Sequence, residues 1–404
     1  VLDDGRSLDA ARAEPPVSRL DGPDRARAGD LAEAVLRWLR PIDATLAGLM
    51  RKPLAPRARI ARDALRLAVA ETAILGTPPH AAVDAAVRLT RADRSTVALS
   101  GLVNAVARRA TAMRPALEPG MMLPDWLASA LTQAWGDAVL PALAEPAATD
   151  LTLRDPAEVE GWAARLGADI LPTGSLRLSR PGQITALPGF AEGAWWVQDA
   201  AAALPARLLG ARPRKRVLDL CAAPGGKTLQ LAAAGADVTA LDIADDRLAR
   251  LRDNLARTGL TAGTVQADAL TWSPPAPFDA ILLDAPCTAT GTLRRHPDLP
   301  HLRRPGDAAR LAALQDRLLD RAAGWLKPGG VLVFATCSLL PVEGEERALA
   351  FLRRTASARR LPVKASETGD AALMTVDGDL RTRPDHWAGS GGLDGFFAAR
   401  FTLS

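Results

Sequence analysis

From Arg25 to about Ala110 the apolar residues recur at helical spacing, with Leu31, Val35, Leu36 and Leu39 on one face and Ile60, Leu65, Leu67, Ala68 and Ile74 on another. Breaks fall at Pro41, between Pro53 and Pro56, and between Gly76 and Pro79, after which residues 81–91 read as a fresh helix. Short helices joined by short turns predict an all-α bundle. No repeat of solenoid length is visible, which excludes a stacked array.

A further helical stretch at 124–135 closes this pattern. Beyond it, 151–153, 175–178 and 183–187 read as short strands around a helical stretch at 157–166, which predicts a small α+β module. Pro181, Gly182 and Gly189 are its turn signals, and Gly193-Ala-Trp-Trp-Val-Gln-Asp199 leads into an apolar helix at 200–209. From Arg216 the rhythm becomes strand, Gly-rich turn, helix, strand. Strands are expected at 217–220, 238–241, 264–266, 280–283 and 331–335, with helices at 227–234, 247–258 and 308–326. Such alternation predicts a mostly parallel sheet with helices on both faces. Ligands of these sheets sit beyond the carboxyl ends of the strands, so chemistry is sought in the residues that follow each strand.

Composition adds bounds to this picture. A chain of 404 residues, at about 150 per domain, has room for two or three domains. Hydrophobic residues at 48% and charged residues at 24% supply sizeable cores and exclude a disordered chain. No apolar stretch approaches the roughly 18 uncharged residues of a spanning helix, so the chain reads as soluble. Its start has neither an initiator Met nor a basic-then-apolar signal pattern, so a chain trimmed at the N-terminus is expected. The net charge of +4 is carried mostly by Arg, the only lysines being Lys52, Lys215, Lys227, Lys327 and Lys364; it permits a nucleic-acid partner without demanding one. Cys221, Cys287 and Cys337 are widely spaced, without CxxC or clustered His, and indicate neither a disulfide framework nor a zinc site. A reducing cytosol is the natural compartment.

The first strand of the alternating region runs into Val217-Leu-Asp-Leu-Cys-Ala-Ala-Pro-Gly-Gly-Lys-Thr228. Gly225 and Gly226 let the backbone approach a ligand closely, and the following helix offers unpaired N–H groups. An ordinary tight turn is one competing reading and a phosphate-binding loop another, but that loop needs Gly where Cys221 stands and an N–H that Pro224 lacks. The next two strands end in Asp242, placed to bind the hydroxyls of a ribose or to cap a helix, and Asp268, placed to accept from an adenine amino group or to cap a turn. Together they outline an adenosine-shaped site with no phosphate ligand and no GxGxxG fingerprint, which favours S-adenosylmethionine over NAD. Two more strands end in Asp284-Ala-Pro-Cys287 and Ala335-Thr-Cys337-Ser338. A lone Cys is commonly a small buried hydrophobe; two at one sheet edge beside Asp284 shift the balance toward chemistry.

These strings, with Thr288-Ala-Thr-Gly-Thr-Leu-Arg-Arg-His-Pro-Asp298 and Ser338-Leu-Leu-Pro341 as their continuations, resemble the NOL1/NOP2/Sun group of RNA cytosine-5 methyltransferases, and the Arg-Arg-His-Pro-Asp element resembles its bacterial 16S ribosomal RNA branch. The resemblance covers nearly the whole chain. Gly76-Thr-Pro-Pro-His-Ala-Ala-Val83 and Leu102-Val-Asn-Ala-Val106 resemble that family's NusB-like domain, and Trp196-Val-Gln-Asp199 and Gly395-Phe-Phe397 also match. Thr288 stands where Ser is usual, Val342 replaces a common acid before Glu343, and residues 299–304 depart from the pattern. The resemblance implies a multidomain protein, with a NusB-like helical RNA-binding domain over 1–140, a small α+β module of ferredoxin or RRM type over 141–210, and a Rossmann-like S-adenosylmethionine-dependent methyltransferase domain over 211–404. It implies a cytoplasmic, monomeric enzyme acting on carbon 5 of a cytidine in 16S ribosomal RNA, with no metal and no membrane partner. Transfer RNA is the alternative substrate. An RNA-binding or antitermination factor with an inactive methyltransferase core is the alternative from another class, and the paired Cys287 and Cys337 speak against it.

Carbon 5 of cytosine is too poor a nucleophile to take a methyl group from a sulfonium directly, and a thiolate adding to carbon 6 places electron density on carbon 5. By resemblance Cys337 is the attacking residue, and Cys287 assists removal of the carbon 5 proton and release by elimination. Asp284 is expected to hydrogen-bond the base at N3 and its exocyclic amine and to touch the cofactor. The cofactor site is assigned to Cys221, Ala222, Ala223, Pro224, Gly225, Gly226, Lys227, Asp242, Asp268 and Asp284, with Cys221 contributing backbone and packing. Lys227 is read as orienting the cofactor carboxylate or the catalytic loop, or else as capping a helix or facing solvent. The base must leave its stack, so unpaired RNA is expected as substrate. Arg294, Arg295, His296, Arg303 and Arg304 are read as phosphate contacts or solvated surface, and Trp195 and Trp196 as base-stacking or packing residues.

Overall fold

The helical periodicity of the N-terminal region becomes the helices Gly22–Arg37, Leu39–Leu49, Arg59–Ala73, Pro79–Ala92 and Ser100–Met113 in a computed structural model that describes residues 1–113, 117–179 and 182–404. Asp21 caps the first of these by accepting from Asp24 N, and Pro41 sits in the first turn of the second, where its missing N–H costs nothing. Ile42, Leu46, Leu65, Val69, Val103 and Ala107 fill the core between the helices. These helices belong to the first of two compact units, residues 1–133 with 296–303. Within it the buried Asp298 carboxyl accepts from Leu8 N at 2.9 Å, and His301 Nε2 meets Leu36 O at 2.7 Å.

The second unit comprises residues 134–295 and 304–404 and holds two sheets. The small one has strands β1 (Thr149–Leu153), β2 (Asp169–Ile170), β3 (Leu176–Leu178) and β4 (Trp195–Val197), all antiparallel in the order β2-β3-β1-β4, with the helix Val159–Leu166. The strand expected at 183–187 is instead a short 3-10 turn, Ile184–Ala186, because Ile184, Leu187 and Phe190, three residues apart, all pack into one cluster around Trp195. Pro181 lies outside the described residues. Trp195 is fully buried there; Trp196 is buried against Leu229, Leu248 and Leu251 and donates to Gln198 Oε1 at 2.8 Å. Both rings are packing residues, which removes them as platforms for a base.

The large sheet has β5 (Arg216–Leu220), β6 (Asp237–Asp242), β7 (Gly263–Gln266), β8 (Phe278–Asp284), β9 (Leu326–Thr336), β10 (Ala358–Arg360), β11 (Leu380–Arg381) and β12 (Phe397–Leu403). Their order is β10-β12-β9-β8-β5-β6-β7, with β11 beside β12. Strands β9 to β7 are parallel, and β12 runs antiparallel to β9 and β10. Runs such as Ile281-Leu-Leu283 and Leu332-Val-Phe-Ala335 are apolar throughout because both faces of these strands are covered. The chain leaves β5 toward β6 and returns on the other flank as β8, so the crevice of the fold opens between the ends of β5 and β8. Among the described residues no helix is long and apolar enough to cross a membrane.

A buried ion pair anchors the small sheet. Arg177 donates to both Asp150 oxygens at 2.7 Å and to the carbonyls of Ser390 and Gly392, while Ala200 N donates to Asp150 Oδ2. Asp150→Ala leaves that guanidinium buried without its carboxylate, and a loss of about 3–5 kcal/mol is expected. The check is the denaturant midpoint of the purified chain; an unchanged midpoint would show that the pair anchors nothing.

Candidate active site

The turn after β5 is shaped by two left-handed residues, Cys221 at φ 64° and Gly225 at φ 107°. A Cβ on Gly225 would lie 2.1 Å from Leu251 Cδ1, so only glycine fits there. Asp242 at the end of β6 is buried and ties the turn down: its two oxygens accept from Ala223 N and Ala244 N, each at 3.0 Å. Ala222 N donates to Leu241 O, and Arg247 donates to the carbonyl of Ala223. Asp268 is exposed and accepts from Leu270 N at 2.9 Å. Both acids thus do cap backbone, while each carboxylate oxygen keeps a lone pair for a ligand. Burial pushes the Cys221 thiol well up, and its side chain packs on the sheet core.

Asp219, in the middle of β5's last residues, is fully buried and accepts from Thr228 Oγ1 at 2.5 Å. Burial raises its carboxyl to about 7, although the Thr228 hydroxyl pulls the other way. Lys227 is buried and donates to Asp284 Oδ2 at 2.7 Å, with its ammonium 5.1 Å from the Phe396 ring centre. Burial opposes that charge, yet the pull of Asp284 outweighs it and holds the ammonium above its ordinary range. Of the readings open to Lys227, pairing with the loop after β8 is the one the geometry contains.

Cys287, after β8, and Cys337, after β9, meet with their sulfurs 3.4 Å apart, and both are partly exposed. The hydrogen bond shared with Cys337, then burial, then the charges of Cys337 and Glu343 hold the Cys287 thiol well above its usual range. Backbone contacts stitch the two loops together: Gly291 N donates to Cys337 O at 2.9 Å, and Gly395 N to Gly291 O at 2.8 Å. A Cβ on Gly291 would stand 1.8 Å from Gly395 O, a close approach that requires glycine.

The structure corrects one expectation about the basic run. Arg295 is bound to Asp394 and Asp199, each at 2.7 Å, and the buried Arg294 donates to the carbonyls of Glu145, Pro146 and Gly391. These guanidiniums hold the loop to the protein and do not present themselves to phosphates. Sequence reasoning passed over Glu343, Ser338 and Gln315, which are fully buried around the cysteine loops. An acid so close behind Cys337, in a segment otherwise apolar, was the available signal.

Gly225, the helix that begins at Gly226, and the acids at the ends of β6 and β7 lie along one sheet edge with the cysteines. That donor set suits a nucleoside carrying a sulfonium better than a polyphosphate, because carboxylates repel phosphate and attract hydroxyls and amines.

Residues 206–402 match the family described as 16S rRNA methyltransferase RsmB/F, and residues 2–112 match the NusB family. The ribosomal RNA small subunit methyltransferase B of Klebsiella pneumoniae is 38% identical over 386 residues, covering 89% of this chain and 88% of that protein. Among solved structures, that of PH0851 has a TM-score of 0.76 at 24% identity, covering 94% of this chain and 90% of that one. NSun6 from Pyrococcus horikoshii with SFG has a TM-score of 0.58 at 19% identity, covering 69% and 98%. Both share the fold.

Asp219 generates a pH test. The folded chain holds its proton more tightly than the unfolded chain, so the stability it contributes is full below about pH 4 and is lost as the pH rises through about 7. Asp219→Asn removes that titration. The melting temperature of the variant relative to the wild type is expected to rise between pH 5 and pH 8; parallel curves would contradict the shift.

Proposed function

The chain belongs to the family of 16S rRNA methyltransferases RsmB/F, and from that premise we propose that it methylates carbon 5 of a cytidine in 16S ribosomal RNA through a temporary bond between Cys337 and carbon 6. The observation that carries this reading is the pair of partly exposed thiols 3.4 Å apart beside the glycine turn. In this reading, residues 221–227 with Asp242, Asp268 and Asp284 hold S-adenosylmethionine, which supplies an electrophilic methyl group.

The two thiols are assigned different steps. Cys287, its thiol held well above the usual range, keeps its proton, and Cys337 is the sulfur that attacks, giving up its own proton to solvent. As its bond to carbon 6 forms, an electron pair moves onto carbon 5, which then takes the methyl group. Asp284, with one oxygen on Lys227, turns the other toward the exocyclic amine of the base. Once Cys337 is bonded to carbon, its hydrogen bond and its charge no longer hold the Cys287 thiol up, and Cys287 loses its proton to solvent more readily. The Cys287 thiolate can then remove the carbon 5 proton while the sulfur–carbon 6 bond breaks and restores the ring. Attack by Cys337 thereby prepares the step taken by Cys287.

Labelled S-adenosylmethionine is offered to the protein with 16S ribosomal RNA, transfer RNA and poly-C, and the modified base is mapped. Label on a 16S cytidine is expected; label on transfer RNA alone would change the substrate, and label on none would leave an RNA-binding factor. Cys337→Ala is expected to abolish turnover, whereas Cys287→Ala should accumulate a protein–RNA adduct that survives denaturing electrophoresis. Full turnover by Cys337→Ala would refute the assignment.

A further inference from the structure

Four residues flank the two cysteines, and all four connect to Glu343: Thr288 and Ser338 at its carboxyl group, Thr336 at its backbone carbonyl and Pro286 through Gln315. Glu343 lies in the short turn Pro341–Glu343 and is fully buried. Its Oε1 accepts from Thr288 N at 2.9 Å and from Gln315 Nε2 at 3.2 Å; its Oε2 accepts from Ser338 Oγ at 2.6 Å and from the Thr288 hydroxyl. Thr288 follows Cys287 and Ser338 follows Cys337. On the other sides, Gln315 Nε2 also donates to Pro286 O at 2.9 Å, and Thr336 Oγ1 donates to the Glu343 carbonyl at 3.1 Å.

Resting on the reading above, we propose that Glu343 is a positioning residue for the methyl transfer: its carboxyl group locks the loops after β8 and β9 together so that Cys287 and Cys337 stay within bonding reach of one base. Apolar packing cannot supply this, because it has no direction, whereas donors from both loops converging on two oxygens specify one arrangement. A buried carboxyl group without those donors would be strongly unfavourable, so the site and its partners form or fail together. Glutamine at this position keeps the shape but turns an NH2 group toward neighbours that themselves donate. Gln315, buried and bonded to both Glu343 and Pro286, extends the lock to the helix Asp307–Ala323.

The test measures Glu343→Gln by turnover and, independently of methylation, by the rate at which diamide joins the two thiols. In that reaction each thiol gives up a proton and an electron, the sulfur–sulfur bond forms, and the azo reagent is reduced to the hydrazine. Turnover is expected to fall about 10- to 100-fold, the scale of a small misplacement of reacting groups, with KM for S-adenosylmethionine and RNA within about twofold. Disulfide formation between Cys287 and Cys337, located by peptide mass, is expected to slow about tenfold. If Glu343→Gln does not fold, Thr288→Val and Ser338→Ala each delete one donor and should show the same two effects in smaller measure, with Thr288→Ser restoring the thiol reaction lost in Thr288→Val. Wild-type turnover in Glu343→Gln, or a turnover loss with an unchanged thiol reaction, overturns the proposal. Slowed thiol reaction in the variant, with no methylation by any form including wild type, would uphold the positioning role and reject the reaction.

Discussion

Burying a charged group is costly unless a partner answers it, and the cysteine-bearing edge of the large sheet is assembled from such answers. Glu343 collects donors from two loops, Arg295 spans Asp199 and Asp394, Arg177 grips Asp150, and Lys227 meets Asp284. Ser338 and Glu343 apart, each pair joins residues 27 or more positions apart in the chain. Leaving one member unpaired in the interior costs more than any single apolar contact contributes, so these bonds set where the loops sit.

Sheet topology supplies the larger frame. Because β5 is followed by β6 on one flank and β8 returns on the other, the loops after β5 and β8 diverge and leave a crevice that β9 borders on its far side. The antiparallel β12 then pairs with β9 and brings Gly395 against Gly291, a backbone approach with no room for a side chain. The glycine turn and the thiols therefore lie along one sheet edge by connectivity, and the polar network fixes the loops that carry them.

Much of this was legible in the sequence. The strands β5 to β9 and their helices follow from apolar runs separated by glycine turns, and the turn at 221–227 with Asp242, Asp268, Asp284, Cys287 and Cys337 could be placed at strand ends from the order of elements. Less could be said of β10, β11 and β12, since two of these are very short and the third was noticed only for Gly395-Phe-Phe397. The arginines after Cys287 misled because a basic run reads the same whether it faces phosphate or buried carboxylates. Only the partners of Arg295, supplied by residues 96 and 99 positions away, distinguish the two.

By itself the sequence determined which chemistry is available: local periodicity sets the strands, glycines set the turns, and the residues just past each strand name the acids and thiols. Tertiary structure alone decided which of these groups touch. That Cys287 and Cys337 come within 3.4 Å and that Glu343 binds the loop carrying Cys287 are properties of groups separated by about fifty positions in the chain. Spacing along a chain carries no record of such distances, because they depend on strand order and on which buried donors find which acceptors.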